Sequence, residues 1–123
     1  MSVIVTDTGF NADSFTGAVV DLPSDTKPDA LAALVAGAEL VRIEFPAFSD
    51  GRGFTLARIL RAEGFTGRLR AKGHVIADQY AMARRSGFDE VEISDDLAAR
   101  QPQDQWLARA DWKAFDYHAR LQG

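Results

Sequence analysis

The chain has 123 residues, a net charge of −4 and 46% apolar residues, which sets the expectation of one globular domain, 1–123, with an ordinary core. It has no cysteine, which excludes disulfides, a catalytic thiol, and thiolate-held zinc or iron–sulfur clusters within this chain. The acidic balance argues against nucleic acid as a partner, no apolar run reaches the ~20 residues of a membrane span, and Met1-Ser2-Val3-Ile4-Val5 lacks a basic signal-peptide start, so the expected location is the cytoplasm.

Taken in order, the first 16 residues are weakly patterned, with Val3-Ile4-Val5 as a short candidate strand and turns at Asp7-Thr8-Gly9 and Asn11-Ala12-Asp13. Gly17 to Leu22 reads as a strand ended by Pro23. Pro28 suits the first turn of a helix that runs to Ala36 and stops at Gly37. Glu39 to Phe45 is a strand closed by Pro46, followed by a helix from Gly53 to Glu63. Gly67 to Lys72 is a strand, His74 to Ser86 a helix stopped by Gly87, and Glu90 to Ile93 a strand. Ser94 is a candidate N-cap for a short helix through Ala99. A C-terminal helix from Gln103 to Leu121 would place Trp106, Leu107, Ala110, Ala114 and Tyr117 on one side. Its aromatics, with Trp112 and Phe115, would seal the core or form a docking patch.

Four strand–helix units with short connections predict an α/β fold with a parallel sheet. The strands alternate: Val41, Ile43 and Phe45 oppose Arg42 and Glu44, and Leu69 and Ala71 oppose Arg68, Arg70 and Lys72. A sheet covered on both faces should read as continuous apolar runs, so helices are expected mainly on one face. Sequential strand order delivers this, as in part of a TIM barrel. The other face would carry Arg42, Arg68, Arg70 and Lys72 against Asp21, Glu44, Glu90 and Glu92, balanced for cross-strand pairing. Open edges left by such a sheet would be relieved by a homodimer.

Two Gly-bearing turns follow strands. Asp50-Gly51-Arg52-Gly53 stands at a helix start, where outward N–H groups favour an anion and Arg52 adds a two-pronged donor. Lys72-Gly73-His74 repeats that placement one strand later. The stretch from Arg42 to Phe88 carries nine basic and four acidic residues, so it is locally basic and suits a small anion or an acidic partner surface. Anion contacts are therefore expected from Gly51, Arg52, Gly53, Arg70, Lys72 and Gly73, and proton transfer from Asp50, His74 or Asp78. Asp78 and Arg85 share one helix face, read as solvent-exposed. Gln79 lies in the apolar stripe of its helix and is expected to latch a neighbouring loop. The two histidines, His74 and His118, are 44 positions apart, so no histidine-rich metal site is expected, and no cofactor fingerprint is present.

The run Phe45-Pro46-Ala47-Phe48-Ser49-Asp50-Gly51-Arg52-Gly53-Phe54-Thr55, with Ala57-Arg58, Leu60-Arg61, Gly67-Arg68-Leu69-Arg70-Ala71, Gly73, Asp78-Gln79 and Gly87-Phe88-Asp89, resembles a bacterial family of unknown function. Genes of that family commonly sit beside sulfite reductase, and its members are often described as oxidoreductases involved in sulfite reduction. The resemblance implies an accessory protein of sulfate and sulfite reduction that binds a small oxyanion, a sulfonucleotide or the reductase itself. The alternative it leaves open is a small enzyme with an acid/base site and a borrowed flavin or nicotinamide. Members often carry cysteine where this chain has Ser86, which removes a thiol mechanism at that position.

Overall fold

The computed structural model describes residues 2–112. The chain begins with a hairpin, β1 (Ser2–Thr6) and β2 (Gly9–Asn11), before the four strand–helix units. These are β3 (Val19–Leu22) with α1 (Leu31–Leu34), β4 (Leu40–Phe45) with α2 (Arg52–Ala62), β5 (Arg68–Gly73) with α3 (Tyr80–Ser86), and β6 (Glu90–Ser94) with α4 (Asp95–Arg100). A further helix, α5, spans Gln103–Leu107. Single 3₁₀ turns at Pro28–Ala30 and Ala77–Gln79 lead into α1 and α3.

The six strands form one sheet in the order β2-β1-β6-β5-β4-β3. Strands β3 to β6 are parallel and lie side by side in chain order. The expectation of an all-parallel sheet is corrected by the hairpin: β1 pairs antiparallel with β6, and β2 antiparallel with β1. The physical reason is that β6 would otherwise be an open edge, and the apolar run Val3-Ile4-Val5 covers it. The sheet is open, with β2 and β3 at its edges, and its pairing gives no support to the expected barrel-like closure. The expected C-terminal helix starts at Gln103 as read, but α5 ends at Leu107. The expected positions Ala114, Phe115 and Tyr117 lie outside the described residues.

Alternation divides the sheet into two unlike faces. Val5, Val41, Ile43, Phe45, Leu69, Ala71, Val91 and Ile93 join Leu31, Leu56, Leu60, Ala83, Leu97 and Trp106 from the helices in one core. Phe45 is the hub at the sheet's carboxyl end: its ring lies 4.9 Å from Phe54 and 5.8 Å from Phe88. Gly53 permits this approach, since a Cβ there would stand 2.5 Å from the Phe45 ring. Each such large side chain contributes roughly 1.5–3 kcal/mol of burial. Ser94 caps α4 as read, its hydroxyl accepting from Leu97 N–H at 3.1 Å.

The opposite face holds charge. Arg70 is 1% exposed, yet its guanidinium donates to Glu90 and Glu92 at 2.7 Å each and to Asp13 at 3.2 and 3.3 Å. Arg42 grips Asp21 with two nitrogens at 2.6 and 2.8 Å and reaches Glu92 at 3.4 Å. Arg68 lies 3.7 Å from Glu90 and stacks over Phe15. Cross-strand register sets these partners, because Arg70 stands opposite Glu90 and Asp21 opposite Arg42.

Asp13 and Phe15 come from the link between β2 and β3, which occupy opposite edges of the sheet. Five inter-strand spacings amount to about 24 Å. The eight steps from Asn11 to Val19 reach about 26–29 Å when extended. Residues 12–18 therefore cross the charged face almost taut, over the amino-terminal half of the parallel strands.

Hydrogen bonds from Arg70 hold the Asp13 carboxyl below its usual range, and those from Arg42 do the same for Asp21. A carboxyl depressed in the folded state contributes stability fully above its unfolded value of about 3.9, and that contribution is lost as pH falls through the lower folded value. Urea midpoints should therefore fall most steeply below about pH 4, and Asp21→Asn should lessen that slope. Arg70→Met should cost about 3–5 kcal/mol, because it removes the shortest partner of two buried carboxylates and leaves them the longer contacts to Arg42 and Arg68. A loss under 1 kcal/mol in urea unfolding would refute the role given to Arg70.

Candidate functional site

All four parallel strands end on the same edge, where α/β proteins place ligands. Their loops are 23–27 after β3, 46–51 after β4, 74–76 after β5, and the Ser94 cap after β6. The taut link covers the other half of the charged face, so a cleft of about 600 Å³ remains at this carboxyl end. Its walls are Asp21, Leu22, Pro23, Arg42, Glu44, Phe45, Pro46, Lys72, Gly73 and His74.

Of the expected site residues, the cleft gathers Lys72, Gly73 and His74. Gly73 has φ +117, and a Cβ there would meet the Phe45 carbonyl oxygen at 2.7 Å. That conformation turns the chain so that the His74 N–H and Nδ1 both reach the same carbonyl, at 2.9 and 3.2 Å. A carbonyl only accepts, so in the neutral ring Nδ1 carries the proton and Nε2 presents its lone pair. Phe48, 40% exposed, packs edge-on against the His74 ring at 5.2 Å. Lys72 is partly exposed, and its ammonium stands 4.0 Å from the Glu92 carboxylate. Glu44, its register partner on β4, is exposed.

The remaining expected residues lie elsewhere. Asp50 and Arg52 close on each other: Arg52 donates to Asp50 from its side chain at 2.8 and 3.0 Å and from its backbone at 3.1 Å. These bonds hold the Asp50 carboxyl far below its usual range. Arg52 also donates to the buried Ser24 hydroxyl at 3.0 Å, tying the loop after β4 to the loop after β3. Gly51 begins α2 with an ordinary φ of −91, and Gly53 is buried against Phe45. Asp78 pairs with Arg109 at 2.6 Å, away from the cleft, and Arg85 donates to the Trp112 carbonyl. Arg70 lies in the charged layer described above, closed by three carboxylates. Asp50, His74 and Asp78 thus do not share a cavity.

Gln79 donates to the Phe48 carbonyl at 2.8 Å and accepts from Ile76 N–H at 3.0 Å, which joins the loops after β4 and β5. Ser86 is buried and donates to the Met82 carbonyl. Sequence reading did not single out Glu44 as a site residue. Its signal was its place: an acid at the outward position just before the Phe45-Pro46 strand end, opposite Lys72. Among the described residues no group of three or more His, Asp or Glu is arranged to hold a metal ion, and no helix is long and apolar enough to cross a membrane.

The glycines separate two roles. Gly73→Ala should destabilise by about 1–3 kcal/mol, from both the left-handed φ and the clash with Phe45. Gly51→Ala should cost less than about 0.5 kcal/mol, since its Cβ would meet Phe54 only at 3.9 Å. Equal losses for the two in thermal unfolding would contradict this assignment.

A family model described as "Bacterial protein of unknown function (DUF934)" matches residues 19–120. Comparison with curated proteins and with solved structures finds no match. The matched span starts at the first residue of β3 and takes in every wall of the cleft. The chain belongs to this bacterial family of unknown function.

Proposed function

We propose that the protein is an accessory binding protein of assimilatory sulfate and sulfite reduction, which takes a small oxyanion or sulfonucleotide in the cleft between Lys72 and His74. One observation carries this reading. On the charged face the three arginines are each held by carboxylates at 3.7 Å or closer, whereas Lys72 stands 4.0 Å from Glu92 and faces the cleft. An ammonium so placed can accept an oxyanion without first breaking a short ion pair. The volume of about 600 Å³ falls within the usual range for small-ligand clefts. The resemblance to proteins encoded beside sulfite reductase supplies the metabolic setting, with the reductase as the proposed partner. The setting is the cytoplasm, and the open β3 edge offers a route to a homodimer.

One observation favours a catalytic reading in the second place. His74 turns Nδ1 to the Phe45 carbonyl, which leaves Nε2 without a hydrogen bond among the described residues, at the cleft wall. On that reading the oxidoreductase chemistry comes from a borrowed cofactor, and Asp50 and Asp78 stand apart from the histidine.

Calorimetric titration with sulfite, sulfate and adenylyl sulfate tests the binding reading. At least one should bind with a submillimolar Kd. Lys72→Gln should weaken it by about tenfold or more, while Arg52→Gln should change it little. Absence of binding to all three, together with no capture of sulfite reductase by the immobilised protein, would overturn the proposal.

A further inference from the structure

Glu44 and Lys72 are direct register partners on adjacent parallel strands, and both line the cleft. Side chains at such positions leave the same face of the sheet from backbones about 4.8 Å apart. Opposite charges this close ordinarily pair. Here they do not: among the described residues Glu44 has no ion pair within 4.0 Å, and Lys72 leans toward Glu92 instead. The rest of the face behaves differently. Asp13, Asp21, Arg42, Arg68, Arg70, Glu90 and Glu92 all meet an opposite charge at 3.7 Å or less.

The neighbouring charges leave Lys72 loosely held. Glu92 already receives Arg70 at 2.7 Å and Arg42 at 3.4 Å, so its charge is largely met, and Lys72 approaches it only to 4.0 Å. Glu44, one strand nearer the edge, is left facing the cavity. Asp21 cannot substitute for Lys72 as a partner, and Arg42 is already gripped by Asp21 with two nitrogens. The cleft therefore presents one loosely held cation, Lys72, and, among the described residues, one unpaired anion, Glu44, side by side.

We propose that this cleft selects a small zwitterion: its oxyanion group meets Lys72 and its protonated amine meets Glu44. The inference rests on the oxyanion reading above and narrows it to ligands that carry both charges on a short linker, such as amino acids and aminosulfonates. A simple oxyanion still meets Lys72, but with Glu44 facing it across the cleft its binding is weaker than that of a zwitterion. A zwitterion turns the same carboxylate into a contact, so Glu44 acts as the specificity-determining residue.

Titration calorimetry with taurine, with ethanesulfonate (which lacks the amine) and with ethylamine (which lacks the sulfonate) tests this directly. Taurine should bind at least about tenfold tighter than either analogue, as expected when two charge-assisted contacts replace one. Glu44→Gln, an isosteric change at an exposed position, should remove taurine's advantage and leave ethanesulfonate unchanged or slightly tighter, with the circular dichroism spectrum and melting temperature preserved. If taurine and ethanesulfonate bind equally, or if Glu44→Gln moves both alike, the zwitterion inference is overturned while the oxyanion reading stands. If none of the three binds, the inference is overturned as well. The oxyanion reading is then decided separately by the sulfite, sulfate and adenylyl sulfate titrations.

Discussion

The buried Arg70 guanidinium is the constraint on which the rest of this structure depends. Four parallel strands laid down in chain order send their helices to one side, and among the described residues the other side has no helical layer. A bare apolar face would be an aggregation surface, so it must be polar or covered. This chain does both. Arg70, planar and always charged, sits at the centre and holds carboxylates from its own sheet and from the crossing link. A buried ion cluster of this kind is weak evidence for net stability, since desolvation offsets most of the attraction. What it secures is position: removing the arginine takes the shortest partner from Glu90 and Glu92, and it releases Asp13, which leaves the taut link only Phe15 against Arg68 on the face.

That anchoring decides where a site can be. Residues 12–18 have almost no slack between the two edges of the sheet, so they must lie across it. Asp13 and Phe15 fix the crossing over Arg70 and Arg68, at the amino-terminal half of the strands. The carboxyl half stays open, and it is the half where the loops converge. Those loops are pinned by hydrogen bonds: Gln79 to the Phe48 carbonyl, His74 to the Phe45 carbonyl, and the Arg52 side chain to those of Asp50 and Ser24. Gly53 and Gly73 let Phe45 pack without displacement on either side. A cleft between pinned loops is pre-organised, and a ligand entering it incurs little ordering cost.

The sequence carried the four strand–helix units and the polarity of the two faces because both are local signals. Period-two alternation in β4 and β5, glycine stops after α2 and α3, and the Ser94 cap each act within a few residues. The hairpin was not legible in its role, since the partner of Val3-Ile4-Val5 is β6, nearly ninety positions away. Period-two alternation is also silent about which edge a short apolar strand will cover. A separation of 57 positions likewise hid the Asp13–Arg70 pair, and with it the reason that Arg70 is a structural cation. By contrast, the Asp50–Arg52 closure spans two residues and follows from ordinary turn chemistry, in which an aspartate accepts from the backbone two positions on.

The division of labour between arginine and lysine on the charged face bears most directly on function. Arginine's fork lets Arg70 and Arg42 each satisfy more than one carboxylate, so they saturate the buried acids and leave little free donor capacity. Lysine presents a compact charge on a flexible stem, and Lys72 stands one pleat beyond Arg70 on the same strand face, at the cleft. The arginines fix the frame, and the lysine remains available because they have already taken the short contacts to Glu92 and Glu90. Exchanging the two residue types would invert this. A lysine at position 70 could not hold three carboxylates in one plane, and an arginine at position 72 would compete for Glu92 and for Glu44 with a two-pronged grip. The cleft's selectivity therefore follows from the same electrostatic accounting that lets a helix-free face exist at all.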